Sequence, residues 1–519
     1  MHISEHQLTT FHIWRSDFSR APQTTLHNLF SKKGWVQRRQ QSQDRQRFAL
    51  REAPAIFTEE PLKEKRNQQI WQPQKVKNVK ADFYPALYKL LRGEQENHCK
   101  IYHLSEDAKN ALKPKRRCLA LVLTPKAEKR LMDVDGTLGL LQKRGKNIFF
   151  MIDIGDISLY HFSTGIFVCQ FTIKIKIPKE ERLTGTQILE AADRVSRFSQ
   201  LSWYDLENNT LEKVQDGFTI GSLSARLVFG TMGEMQYAHR NYTYTYAKLD
   251  LNLERERALE EMNILGVRLA RLNTMDYDID FSCSQCEQLL EYNNVKHYVT
   301  REGAASLVVP ITKGESVPFL EQFLPNSIVS AYLPIVLLNL HLLALCVETS
   351  EAMFDVQLDD NSSELEEILR RWRDIRDEIA QNNTRFRLRN ISQLGIHNRY
   401  NVCLRQAFGL DESLDQHQQH LSDIEHSLKT QIEWLERKEQ AALERKLVYY
   451  RVFVSTAIVG LAVLEIMELL EKIIIKDTPM LVMDYAKLLL LLCLAIFFFY
   501  FEYKRTGIAF PKKKKLRKE

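Results

Sequence analysis

The sequence predicts a mixed α/β (α+β) cytoplasmic domain, then a long helical stalk, then a C-terminal two-helix transmembrane hairpin. Three observations carry that expectation. Two apolar stretches, 452–470 and 485–503, close the 519-residue chain, each near the ~20 residues a helix needs to cross a bilayer's hydrocarbon core. A leucine heptad runs into the first of them. Upstream, strand-like apolar runs alternate with helical patterns over residues 91–317, the mixture expected of an α/β or α+β fold.

Residues 1–90 form a basic N-terminal region, with aromatics set among cations in WRSDF, KKGWVQRRQQSQDRQR and LKEKRNQQIWQPQKVKNVK. Such a pattern can bind nucleic acid. The reading favoured here is a solvated, partly disordered arm, and direct nucleic-acid binding is not expected. No continuous apolar h-region follows the start, so no signal peptide is expected. The formal net charge of +6 is modest for this length, and much of it sits at the two ends. Eight scattered cysteines suit free thiols in a reducing compartment.

Within 91–317, strands are expected at Cys118–Leu123, Ile148–Ile154, Ile157–Phe162 and Ile166–Ile177, the last two joined by a hairpin turn at STG. Phe218–Phe229 and Tyr242–Leu251 read as further strands. Helical patterns fall at Ala127–Leu141, Thr186–Leu201, Leu253–Leu272 and Ser284–Tyr292. A helical pair is expected over 318–410. Its first member, Leu320–Ala352, is apolar enough to resemble a membrane span, but Pro334, Asn339 and His341 favour a buried core helix. Its second begins acidic and ends basic, with Ser362 or Ser363 placed to cap it.

From 411 to 450 the pattern is a stalk helix. Leu414, Leu421, Leu428 and Leu435 recur every seventh residue and are the expected oligomerisation seam. No proline interrupts the chain from Asp411 to Lys476, so one helix of ~100 Å would continue into the first apolar stretch. The hairpin occupies 451–503 and a basic tail 504–519. Lys446 and Arg451 precede the hairpin, and Lys504, Arg505, Lys512–Lys515, Arg517 and Lys518 follow it. Juxtamembrane cations favour the cytoplasmic side, so both termini are expected there.

The second stretch, with LLLLLCLAIFFFYF, has no polar face. The first carries Ser455, Thr456, Glu465 and Glu468. At helical spacing Arg451, Ser455, Ala462 and Glu465 share one stripe, as a pore-lining helix would present, with Glu468 nearby. Carboxylates resting at the outer interface would give the same letters, and both readings stay open.

Two further motifs are set aside. Asp133–Thr137 spells DVDGT, the nucleophile motif of some phosphatases, but the charged PKAEKRLM before it is no buried strand. Cys283 and Cys286 form a single CxxC with His297 downstream, too few ligands for a structural zinc site. No P-loop, GxSxG or HExxH occurs. The chain is not expected to be an enzyme.

This order of parts resembles the CorA family of membrane cation channels over roughly residues 91–519. The resemblance implies a homopentamer in the bacterial inner membrane, with the long helix lining a central funnel and a cation as the conducted species. The family's Gly-Met-Asn at the outer end of the first span is missing here; the region reads LEIMELLEKIIIKDTP. Magnesium selectivity is therefore not expected. Divergent CorA-like proteins encoded with type III CRISPR systems resemble this chain in their enlarged cytoplasmic parts. They imply a second reading, a membrane effector of antiviral defence opened by a nucleotide second messenger, for which no ligand-binding residue is assigned. A membrane-anchored binding or scaffold protein is the rival class.

Overall fold

The architecture follows from a computed structural model. It describes residues 2–15, 33–38, 47–52, 68–76, 79, 82–113, 117–123, 127, 131, 149–177, 183–197, 200–208, 210–212, 219–229, 235–236, 241–250, 255–274, 287–292, 294–309, 318–354, 370, 372–374, 376–377, 379–380, 388, 390–474, 489, 492–493, 496–497 and 500–501. The chain divides into two compact units. One comprises Met1–Gln357 and Arg373–His420, the other Leu358–Trp372 and Leu421–Glu519.

In the first unit the strands run β1 (His2–Arg15), β2 (Lys33–Arg38), β3 (Arg47–Glu52), β4 (Trp71–Pro73), β5 (Cys99–Leu104), β6 (Arg117–Val122), β7 (Phe149–Phe162) and β8 (Ile166–Lys176). They continue as β9 (Leu183–Thr184), β10 (Leu201–Asp205), β11 (Thr210–Glu212), β12 (Met235–Gln236), β13 (Tyr242–Leu249), β14 (Glu287–Tyr292), β15 (Val295–Val299) and β16 (Gly303–Val308). Helices interleave as α1 (Pro85–Leu91), α2 (Glu106–Leu112), α3 (Gly185–Ser196), α4 (Ile220–Phe229), α5 (Arg255–Arg271), α6 (Leu333–Phe354) and α7 (Gly395–Phe408).

Thirteen of these strands form one sheet in the order β11-β10-β6-β7-β8-β1-β13-β16-β15-β14, with β4 and β5 joined through β7 and β9 through β1. The β13–β16 pair is parallel, and the other pairings are antiparallel. Successive side chains of a strand point to opposite faces, and β1 uses both. Leu8 and Trp14 enter the core beneath α3, α4 and α5, while Phe11 and Ile13 enter the core beneath α6 and α7. The layers are therefore helix, sheet, helix.

β1 corrects the expectation of a solvated N-terminal arm. Residues 8–14 are wholly buried; all pair with β8 on one side, and 8–11 also pair with β13 on the other. Thr9, Thr10 and His12 masked this in the sequence, because their polarity conceals a strand enclosed on both faces.

Two other expectations are overturned. Of the stretch 218–229, expected as a strand, residues 220–229 form α4. Ile220, Leu223 and Leu227 lie at helical spacing and are buried. Thr219 and Ser222 cap it reciprocally: Ser222 N donates to Thr219 Oγ1 at 3.1 Å and Thr219 N to Ser222 Oγ at 2.8 Å. Of the stretch 284–292, expected as a helix, residues 287–292 form the strand β14, which pairs antiparallel with β15. The expected strands at β6, β7, β8 and β13 appear; β7 is continuous where two strands were expected, with a register shift between Ile154 and Ile157. Helix α3 stops at Ser196, and Leu201 already begins β10. Of the Ala127–Leu141 helix, only Ala127 and Leu131 lie within the described residues. The second member of the helical pair is described only in part, as helical residues between 370 and 380; its capping serines, the DVDGT motif and the CxxC lie outside the described residues.

Helix α5 packs unusually close to the sheet. A Cβ on Gly266 would stand 2.1 Å from the Tyr298 ring, so only glycine fits there. The Tyr298 hydroxyl then donates to Asn263 Oδ1 at 2.8 Å.

After α7 comes α8 (Leu410–Ile474), 65 residues without a break. At about 1.5 Å per residue such a helix is ~100 Å long, as expected.

Candidate functional site

Helix α8 starts at a built joint. Gly409 adopts a left-handed φ of 64°, which ends α7 and returns its N–H to the Arg405 and Gln406 carbonyls. Arg405 is 1% exposed; its Nη2 donates to Asp411 Oδ1 at 2.5 Å and its Nε to Oδ2 at 3.4 Å. Asp411 and Glu412 occupy the first turn of α8, where the helix dipole favours carboxylates. Two polar bridges tie the neighbouring helices together. Asn339 Nδ2 of α6 donates to Asn401 Oδ1 of α7 at 2.8 Å, and Ser350 of α6 meets His417 Nε2 of α8 at 2.7 Å. Burial lowers the His417 pKa, with His420 adding to it.

Along α8 the expected seam splits. Leu414, Leu421 and Leu428 are buried within one chain, and Leu435 is half-buried. Leu414 belongs to the same apolar core as α6 and α7. Further along α8, Leu443, Leu447, Tyr450, Val454, Leu461 and Leu464 are exposed. Their steps of three, four or seven residues set them along one face.

The residues expected to line a pore all fall between 451 and 468 on α8. Arg451, Ala462, Glu465 and Glu468 are exposed and Ser455 is half-buried. At about 100° per residue, Arg451, Ser455, Ala462 and Glu465 lie within an arc of about 80°, and Glu468 stands about 60° beyond Glu465. Thr456 returns its hydroxyl to the Val452 carbonyl at 2.8 Å, which satisfies it within the helix. The second apolar stretch is described only at Leu489, Leu492, Cys493, Ile496, Phe497, Tyr500 and Phe501, each helical and exposed.

Among the described residues, two helices are long and apolar enough to cross a membrane, and their surroundings differ. The most apolar window of Leu324–Glu351 is 89% buried, which makes this the core helix expected from its polar residues; that of Leu410–Ile466 is 6% buried. Among the described residues no group of three or more His, Cys, Asp or Glu is placed to hold a metal ion. The six described cysteines are free thiols.

One cluster escaped the sequence reading. His297 and Tyr332 stack at 4.5 Å, and Tyr400 stands edge-on to both at 5.8 and 4.9 Å. His397 is edge-on to Tyr332 at 5.6 Å. His297 Nδ1 meets Ser306 Oγ at 2.5 Å, and Ser306 meets the Tyr244 hydroxyl at 2.6 Å. Burial, with His397 nearby, lowers the His297 pKa to about 4, and burial raises that of Tyr400. These residues come from β13, β15, β16, α7 and the helical segment preceding α6, so no local spacing could announce them.

No family model matches the chain, and no curated protein matches it.

Proposed function

We propose that the chain is a CorA-like, homopentameric membrane ion channel, opened by a cytoplasmic ligand and not selective for magnesium. The final third of α8 and the second apolar stretch form its membrane hairpin, and both termini face the cytoplasm. The observation that carries the reading is the contrast between two equally apolar helices. Leu324–Glu351 is enclosed by its own unit, whereas the apolar part of α8 is bare along a continuous helix. Bare aliphatic surface of this extent in water would drive association; lipid or neighbouring copies would cover it. Arg451 at the start of the stretch and the Lys-rich tail support the orientation.

The test is ion flux through the purified full chain in liposomes. The expected result is potassium or sodium flux with no preference for magnesium, since no Gly-Met-Asn is present to hold that hydrated ion. Selective magnesium flux overturns the reading of the missing motif. No flux from correctly inserted protein leaves a membrane-anchored scaffold instead.

A further inference from the structure

Where β6, β7 and β8 run beside the end of α2 lies a cavity of about 320 Å³. It is at the small end of the range that holds organic ligands. Its lining combines two chemistries. Met151 and Leu206 belong to an apolar wall, and Lys113, Arg117 and Lys176 bring three cations against one carboxylate, Asp153. Asp153 holds one lysine on each oxygen: Lys113 Nζ lies 3.0 Å from Oδ1 and Lys176 Nζ 3.1 Å from Oδ2. Partial burial pushes the Asp153 pKa up, but the hydrogen bonds from both lysines outweigh it and the net shift is downward. Arg117 also feels Asp205, its cross-strand partner on β10. The Asp205 oxygens are engaged locally by the Glu207 and Asn208 backbone N–H groups and by Asn208 Nδ2, at 2.8, 3.0 and 2.8 Å.

The lining carries more cations than carboxylates, the sign of charge that a phosphomonoester requires of its site. An apolar wall beside that charge suits a ligand whose phosphate is attached to an apolar or aromatic body. We propose that this cavity binds a small organic phosphomonoester, with Lys113, Lys176 and Arg117 holding the phosphate and Asp153 releasing the two lysines as it enters. The site lies within the first unit and does not depend on ion conduction.

The experiment is calorimetric titration of the full chain in detergent with 1-naphthyl phosphate, set beside 1-naphthol and inorganic phosphate. Saturable binding of 1-naphthyl phosphate is expected, with each half-ligand at least tenfold weaker. A Lys113→Gln/Lys176→Gln variant should bind at least tenfold more weakly. Asp153→Asn should bind several-fold more tightly, because the anion no longer competes with a carboxylate for the same ammonium groups; a general surface attraction would not single out that position. Leu206→Trp, at an exposed position on the wall, should block binding with every charge retained, which covers the case of a charge variant that fails to fold. Affinity unchanged in the lysine variant, equal binding of 1-naphthol, or no saturable binding to the parent chain overturns the proposal. Because the readout is binding, failure here leaves the channel reading standing, and absence of flux leaves this site standing.

Discussion

His297 is an imidazole enclosed on every side, between the Tyr332 ring, the edge of Tyr400 and the Ser306 hydroxyl, with His397 one ring further. In the unfolded chain it titrates near its ordinary value of 6.5, and in the folded chain near 4. Its neutral form is therefore the one that folding selects. Above pH 6.5 neither state binds the proton and stability is unaffected. As pH falls from 6.5 toward 4, only the unfolded state takes up the proton, so stability drops, by on the order of 3 kcal/mol from this group. Thermal unfolding of the full chain over that window should show a falling midpoint, and His297→Phe should flatten the fall. An identical slope in the variant would mean that other groups carry the acid sensitivity. Nothing near His297 in the sequence announced this role, since its partners stand as far away as Tyr400. The sequence connected it only to a distant CxxC.

At the scale of elements, what could be read depended on whether a segment faces one environment or two. β7 and β8 are long, strongly apolar and joined by a three-residue turn, and they were legible. β1 lies in the middle of the sheet but carries Thr9, Thr10 and His12 inside it, so polarity misled. α4 is short and rich in serine, and its helical stripe is only three apolar residues deep. The stalk was legible as a helix, and what fills its seam was not: a heptad reads the same whether a chain's own segments or a second copy fills it. Leu421→Asp or Leu428→Asp would bury a charge in the protomer's own core and unfold it locally. The exposed face of α8 is the one to test for assembly. Leu443→Asp with Leu447→Asp should lower the mass of the detergent-solubilised protein measured by light scattering, with the circular dichroism of the sheet unchanged. An unaltered oligomer mass would remove this face from the subunit contact.

For the whole molecule, a mixed α/β unit followed by a long C-terminal helix was legible; the ion that the proposed channel would conduct was not, because element order follows from apolar length and periodicity whereas selectivity resides in a few atoms. In a pentamer Glu465 would become a ring of five carboxylates, and such rings favour cation entry. Glu465 shares its arc of α8 with Arg451, Ser455 and Ala462, while Glu468 stands outside that arc toward the next face. Both are exposed in the single chain, so neither is committed to an internal partner by burial. Glu465→Lys should reverse the sign of the ring and cut cation conductance at least tenfold in liposomes, with assembly intact by light scattering. Glu465→Gln removes charge without reversing it and should lose less, and Glu468→Lys should lose less than Glu465→Lys because it lies off the arc. Equal losses at the two positions would place the pore axis between them. Unaltered conductance in a correctly assembled Glu465→Lys channel would mean that this arc of α8 faces away from the ion path.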